Sequence, residues 1–291
     1  MNTLVIHLLN ALLYASTLFL IAGGLSLIYG VMRIVNLAHG NLYALGAFVT
    51  AWVVGKALAG QPVALLFVVL PAGAFAAALA GAILEPTLLR PLYKRAEEYQ
   101  LLVTFGLLMM LEDFLRLVWG PYPLSASDPA SALGPLSIGD AYYPIYNLLI
   151  IGVGLVAAVV LWAFVYKTRF GVVLRATSQD KRMASALGVN VNRVYVQAFT
   201  LGCFMAGLAG AIIVPKESAV LGMGVDALIL AFIVVVVGGL GSLEGALIGA
   251  LLVGVVREAG IAMFPEIELA VLYLMAAIVL LVRPAGILGR A

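Results

Sequence analysis

Apolar runs long enough to cross a bilayer alternate with short polar breaks along most of this chain. Taken in order, the runs predict helices over 4–29, 34–55, 62–84, 101–118, 146–166, 194–214, 225–238, 242–257 and 269–282. A spanning helix needs roughly 20 mainly apolar residues, and several of these runs reach that length. Backbone groups in lipid must pair within their own segment, so helices are the expected spanning form. The alternating strands of about ten residues that make a spanning barrel are not visible. The runs 225–238 and 242–257 are short and meet at Gly238, Gly239 and Gly241. They read as two thin spans or as one broken or re-entrant element. No clear internal repeat is visible.

Composition turns the pattern into a class. Of 291 residues, 64% are hydrophobic and only 10% charged, with a mean hydropathy of +1.15. A soluble fold of this composition would lack polar residues to cover its core. The expectation is an all-α, polytopic membrane protein with about nine transmembrane helices. The first helix lacks a basic region before it and reads as a retained span, not a cleaved signal peptide. Neither end has the composition of an appended soluble domain. Cys203 is the single cysteine, so no intrachain disulfide and no zinc-type spacing exists, and it reads as a small core residue.

The positions of the basic residues set the expected orientation. One side collects Arg33, Arg90, Lys94, Arg95, Lys167, Arg169, Arg175, Lys181, Arg182, Arg193, Arg283 and Arg290; the other keeps Lys56, Arg116, Lys216 and Arg257. Twelve against four makes the 167–193 loop cytoplasmic, the N-terminus external and the C-terminus cytoplasmic. The whole chain, 1–291, is then a single transmembrane domain with a cytoplasmic loop at 167–193 and an external loop at 119–145. The external loop has five prolines, no Lys or Arg, and two acids, Asp128 and Asp140. Proline fixes the backbone and removes donors, so this loop is irregular but ordered. It is a plain connector or a surface for an external partner.

Candidate chemistry is sparse. Arg33, Asn36, His39 and Asn41 fall within nine residues between two apolar runs. Polar groups at membrane depth are costly and face a partner, a cavity or an interface. Two readings stay open: Arg33 snorkels while the others cap a turn, or Asn36, His39 and Asn41 line a translocation path or tie helices together. Only His7 accompanies His39, which argues against a metal site. No GxSxG, HExxH or CxxC motif marks a catalytic site. Among the acids near spans (Glu85, Glu112, Asp113, Asp226, Glu244 and Glu258), Asp113 is spaced to pair with Arg116. Glu244 suits the first turn of a helix, where a carboxylate favours the dipole. Gly241, Gly245 and Gly249 form a small-residue stripe that allows close helix packing.

The 167–193 segment is the largest hydrophilic stretch, with six basic residues and one acid, Asp180. Thr177 and Ser178 suit an N-cap and Gly188 the C′ position of a short helix. Met183, Ala184 and Leu187 form one apolar patch on it, while Lys181, Arg182 and Ser185 face elsewhere. So short a helix is marginal alone in water and needs a brace. It lies on lipid headgroups or docks into a groove on a cytoplasmic protein. There is no GxxxxGK[ST] phosphate loop, so any nucleotide-driven step belongs to a separate polypeptide.

Three segments in order, GLSLIYGVMRIVNLAHGNLYALGAFV (24–49), RATSQDKRMASALGVNVNRV (175–194) and VVVVGGLGSLEGALIGALLVG (234–254), resemble the permeases of branched-chain amino acid ABC importers. Within that family the chain resembles the shorter permease subunit. The resemblance implies an importer of the cell inner (plasma) membrane with a second permease subunit, two cytoplasmic ATP-binding subunits and an external substrate-binding protein. It implies no nucleic-acid partner and no cofactor for this chain. It places Ala184–Gly188 in the loop that docks on the ATPase, giving Ser178, Lys181, Arg182, Met183, Ala184, Leu187 and Gly188 as coupling candidates. The loop lacks the leading Glu of the EAA form found in many ABC permeases. Importers of urea and short amides share the same segments. The remaining alternatives are an ion-coupled secondary transporter, which would show inverted repeats and paired buried acids, and a membrane-embedded enzyme, for which no constellation exists.

Overall fold

The computed structural model describes residues 2–139, 141–263 and 265–289. Asp140 and Arg290, two of the charges counted above, lie outside the described residues. The chain is a helical bundle: α1 (Asn2–Met32), α2 (His39–Trp52), α3 (Val63–Val69), α4 (Ala72–Leu84), α5 (Glu97–Trp119), α6 (Asp128–Leu133), α7 (Ile145–Lys167), α8 (Arg169–Gln179), α9 (Lys181–Ala186), α10 (Val191–Ile213), α11 (Met223–Gly238), α12 (Leu243–Met263) and α13 (Glu268–Val282). Among the described residues, six helical stretches are long and apolar enough to cross a membrane, and α11 is a shorter apolar helix. The 119–145 loop contains α6 and a two-stranded antiparallel hairpin, β1 (Pro135–Ile138) with β2 (Ala141–Pro144).

Two groups of three helices share one pairing scheme. In the first, α4 packs against α2 and against α10; in the second, α12 packs against α11 and against α1. The leading helices α1 and α10 also pack on each other at Gly24 and Gly202, where neither has room for a side chain. The duplication is in the packing, although no repeat stands out in the sequence.

The second predicted helix starts later than expected. Residues 33–38 are not helical, and α2 begins at His39, beside Ile21 in the middle of α1. From Ile21 to Met32 the helix rises about 16 Å, so the 33–38 segment folds back into the bundle instead of leaving it. Its first residue, Arg33, takes a left-handed φ of 57° while its N–H bonds Tyr29 O at 2.9 Å. A side-chain-bearing residue there costs about 1–3 kcal/mol, which the surrounding packing must hold. At sixteen residues, α11 rises about 24 Å, less than a bilayer core of about 30 Å. The pair 225–238 and 242–257 resolves into two separate antiparallel helices, closed at Gly238 against Gly245.

The two ends of the bundle differ. Arg33 and Arg175 line one cavity, and Arg90 and Arg193 line another at the same basic end. At the opposite end Leu124 pairs with Ala219 through two backbone hydrogen bonds, and Lys216 and Arg257 flank the Tyr14 ring.

Candidate functional site

The polar cluster at the start of α2 is completely buried. Asn36 Oδ1 accepts from Ala38 N–H (3.1 Å), His39 Nε2 donates to Ile21 O (3.0 Å), and Asn41 Nδ2 donates to Leu108 O (2.6 Å). The bonds of His39 and Asn41 tie α2 to α1 and α5, while that of Asn36 closes its own turn. Each side chain also keeps one buried polar atom with no hydrogen-bond partner among the described residues: Asn36 Nδ2, His39 Nδ1 and Asn41 Oδ1. A buried polar group left unpaired costs about 1–3 kcal/mol, so three in one cluster is an unusual concentration. The N-terminus of α11 meets that of α2 here, with Gly224 against Gly40 and Asn41. Glu112 reaches in from α5 and accepts the Gly222 N–H at 2.6 Å, anchoring the residue that precedes α11. Neither Asp113 nor Arg116 is in an ion pair among the described residues.

The 167–193 segment is built from two helices in place of the single one expected. Thr168 caps α8 by accepting from Gly171 N–H at 3.0 Å. Thr177 and Ser178 do not start a helix; their hydroxyls donate back to Val173 O and Arg175 O within α8. The cap of α9 is Asp180, whose Oδ1 accepts from Arg182 N–H (2.8 Å) and Met183 N–H (3.0 Å). Those backbone bonds, that of Met183 first, hold the Asp180 carboxyl below the usual carboxylate range. Sequence reasoning passed over Asp180, although an Asp directly before a short helix is itself a cap signal. Gly188 does close the helix, at φ +87°, with Val189 N–H on Ala184 O.

The expected apolar patch divides. Ala184 is 4% exposed and packs inward, whereas Met183 is 59% and Leu187 78% exposed. Lys181 and Arg182 are exposed beside them. α8 packs on α1, α7 and α10, and α9 packs on α8.

The glycine stripe also divides. Gly245 and Gly249 admit α11 at Gly238 and Val234, but Gly241 lies in the preceding turn and approaches Gly30 of α1. All three serve packing inside this chain. Glu244 stands in the first turn of α12, exposed; Ser242 Oγ is the group that caps it, accepting from Gly245 N–H at 3.0 Å.

Glu85 has a structural role that spacing did not suggest. It is fully buried at the end of α4, paired to Arg90 Nη2 at 2.7 Å and hydrogen-bonded by Tyr93 OH. The bonding partners lie five and eight residues on, past a π-helical turn, so regular helical spacing conceals them. Among the described residues no group of three His, Cys, Asp or Glu is placed to hold a metal ion.

Comparison with known proteins gives the same direction. Residues 7–282 match the family model described as branched-chain amino acid transport system, permease component. The LivH high-affinity branched-chain amino acid transport permease of Salmonella typhimurium is 30% identical over 98% of this chain and 95% of its own length. The BraD permease of Pseudomonas aeruginosa shows the same identity and coverage. The ribose import permease RbsC of Escherichia coli is 26% identical over 85% of this chain and 75% of its own. No solved structure matches the chain. An all-α, multi-pass membrane protein with these relatives belongs to the permease-component family of branched-chain amino acid transport systems.

Proposed function

We propose that this chain is the permease subunit of an ATP-driven importer of hydrophobic, branched-chain amino acids in the inner membrane. The basic end of the bundle faces the cytoplasm, in line with the asymmetry of Lys and Arg. Two ATP-binding subunits dock there, a second permease subunit completes the path, and an external binding protein delivers substrate. This chain makes and breaks no covalent bond; ATP is hydrolysed on the partner subunits.

The observation that carries the reading is α9. A six-residue helix, capped at both ends and braced on α8 and α10, leaves Met183 and Leu187 largely uncovered among the described residues. Exposed apolar side chains flanked by Lys181 and Arg182 suit an apolar groove with an acidic rim. Ser178, Ala184 and Gly188 serve this surface from behind, by fixing α8 and the ends of α9. ATP-driven closure of the partners moves α9, and α8 passes the motion to α1, α7 and α10. The transport path opens where α2 and α11 part, and the unpartnered atoms of Asn36, His39 and Asn41 then meet the passing zwitterion.

Leu187→Asp tests the coupling role: ATPase association and uptake should fail while membrane insertion is unchanged. Normal association of the variant with the ATPase would refute it. Uptake by the reconstituted complex, with leucine, urea and short amides competing, decides among the substrates, since the importers of all three share the same segments. Transport by this chain alone under an ion gradient would overturn the importer reading.

A further inference from the structure

At the basic end an open cavity of ≈ 520 Å3 lies between the last turns of α1, helix α8 and the start of α12. That volume lies in the range of small-molecule pockets. Three charged side chains line it: Arg33, Arg175 and Glu244. Among the described residues none of the three is in an ion pair. Arg33 and Glu244 are exposed, and Arg175 is half-buried. Arg33 leaves α1 through its left-handed backbone, and Arg175 is fixed by Nε on Gly171 O (3.4 Å) and by stacking over Tyr166 at 5.0 Å. The capped first turn of α12 places the Glu244 backbone at the cavity's edge. Leu27, Val31 and Leu243 supply an apolar wall.

Two cations and one anion, unpaired, around an apolar wall match a ligand that carries both charges and an aliphatic group. The geometry points to a binding site for an α-amino acid zwitterion, open to the basic end of the bundle. The carboxylate meets Arg33 and Arg175, the ammonium meets Glu244, and the side chain lies along Leu27, Val31 and Leu243. A ligand here joins α8, which continues into α9, to α1 and α12. It therefore bridges the coupling segment and the bundle. The site is separate from the buried Asn36, His39 and Asn41 cluster, and its assignment to amino acids rests on the transport reading above.

The test is equilibrium binding of labelled leucine to the purified importer complex, without its external binding protein, in lipid nanodiscs. Competitors are leucinamide, which lacks the carboxylate, and 4-methylpentanoate, which lacks the ammonium. Saturable leucine binding is expected, with both competitors at least about tenfold weaker, the loss of one charge contact. Arg175→Gln should weaken leucine about tenfold and leave leucinamide unchanged; Glu244→Gln should do so and leave 4-methylpentanoate unchanged. Among the described residues the Glu244 side chain makes no hydrogen bond, so besides the site contact E244Q removes only its favourable place beside the α12 dipole. Absence of saturable binding by the wild-type complex, or both variants binding leucine as the wild type does, overturns the proposal. The two readings fail separately. Leucine uptake without this binding sinks the site alone, and binding without leucine uptake sinks the transport reading alone.

Discussion

Gly40 at the start of α2 and Gly224 at the start of α11 press backbone against backbone, so a methyl group on Gly40 would overlap the Gly224 carbonyl. Two helix N-termini thus meet inside the bundle, and the chain reaches that point by folding back at 33–38. Side chains there would part α2 from α11, the pair on which the proposed path depends.

Gly40→Ala should accordingly lower stability by about 3 kcal/mol, the upper end of overpacking costs. Gly106→Ala, in α5 with no atom near its missing Cβ, should be neutral or slightly stabilising. Thermal unfolding of both variants in detergent checks the contrast; equal melting points would remove the significance given to the Gly40 contact.

The α9 cap should respond to acid. The Asp180 carboxyl is held below its ordinary value, so its contribution is complete above the unfolded value of about 3.9 and is lost as pH falls through the folded one. Amide exchange over 181–188 should quicken relative to the rest of the chain below pH 4. Asp180→Asn keeps a capping oxygen without a titrating group and should abolish that excess.

Breaking the Glu85–Arg90 pair should cost more than its exposure suggests. Arg90 is 36% exposed but Glu85 is fully buried, so Arg90→Ala leaves a desolvated carboxylate with only Tyr93 to hold it. A loss of about 2 kcal/mol is expected, reduced from the usual value for a buried pair by the exposure of the arginine. Glu85→Gln combined with Arg90→Ala should recover part of it. A double-mutant cycle on urea unfolding in mixed micelles measures the coupling, and purely additive losses would contradict the pairing.

At the opposite end, the Tyr14 ring lies 4.4 Å from the Arg257 guanidinium and 5.8 Å from Lys216 Nζ. Among the described residues the buried Arg257 Nε has no hydrogen-bond partner, and the guanidinium stacks on the ring face. Tyr14→Leu should lose about 1 kcal/mol and Tyr14→Phe much less, because Phe retains the face. Melting points of the two variants separate them.

Part of the local geometry was legible in the chain. The polar trio Asn36, His39 and Asn41 stood out because polar side chains inside apolar runs are costly; all three are buried, Asn36 bonding within its own turn and His39 and Asn41 tying α2 to α1 and α5. Gly188 was readable because few residues other than glycine take a left-handed φ at a helix end. The split of Met183, Ala184 and Leu187 was not readable. It depends on which side of α9 meets α8 and α10, and helical period sets faces without choosing which is covered.

By itself the sequence determined that the chain lives in lipid, that it is helical and that its basic residues favour one side. These follow from how each segment partitions between water and hydrocarbon, a local property. Only the tertiary structure decided that residues 33–38 turn back beside Ile21, that α8 and α9 break at Asp180, and that Glu85 finds Arg90 and Tyr93. It alone brings Arg33, Arg175 and Glu244 around one cavity. Those residues come from three separate stretches of chain, and their meeting depends on how the helices pack against one another, which hydropathy along the chain does not encode.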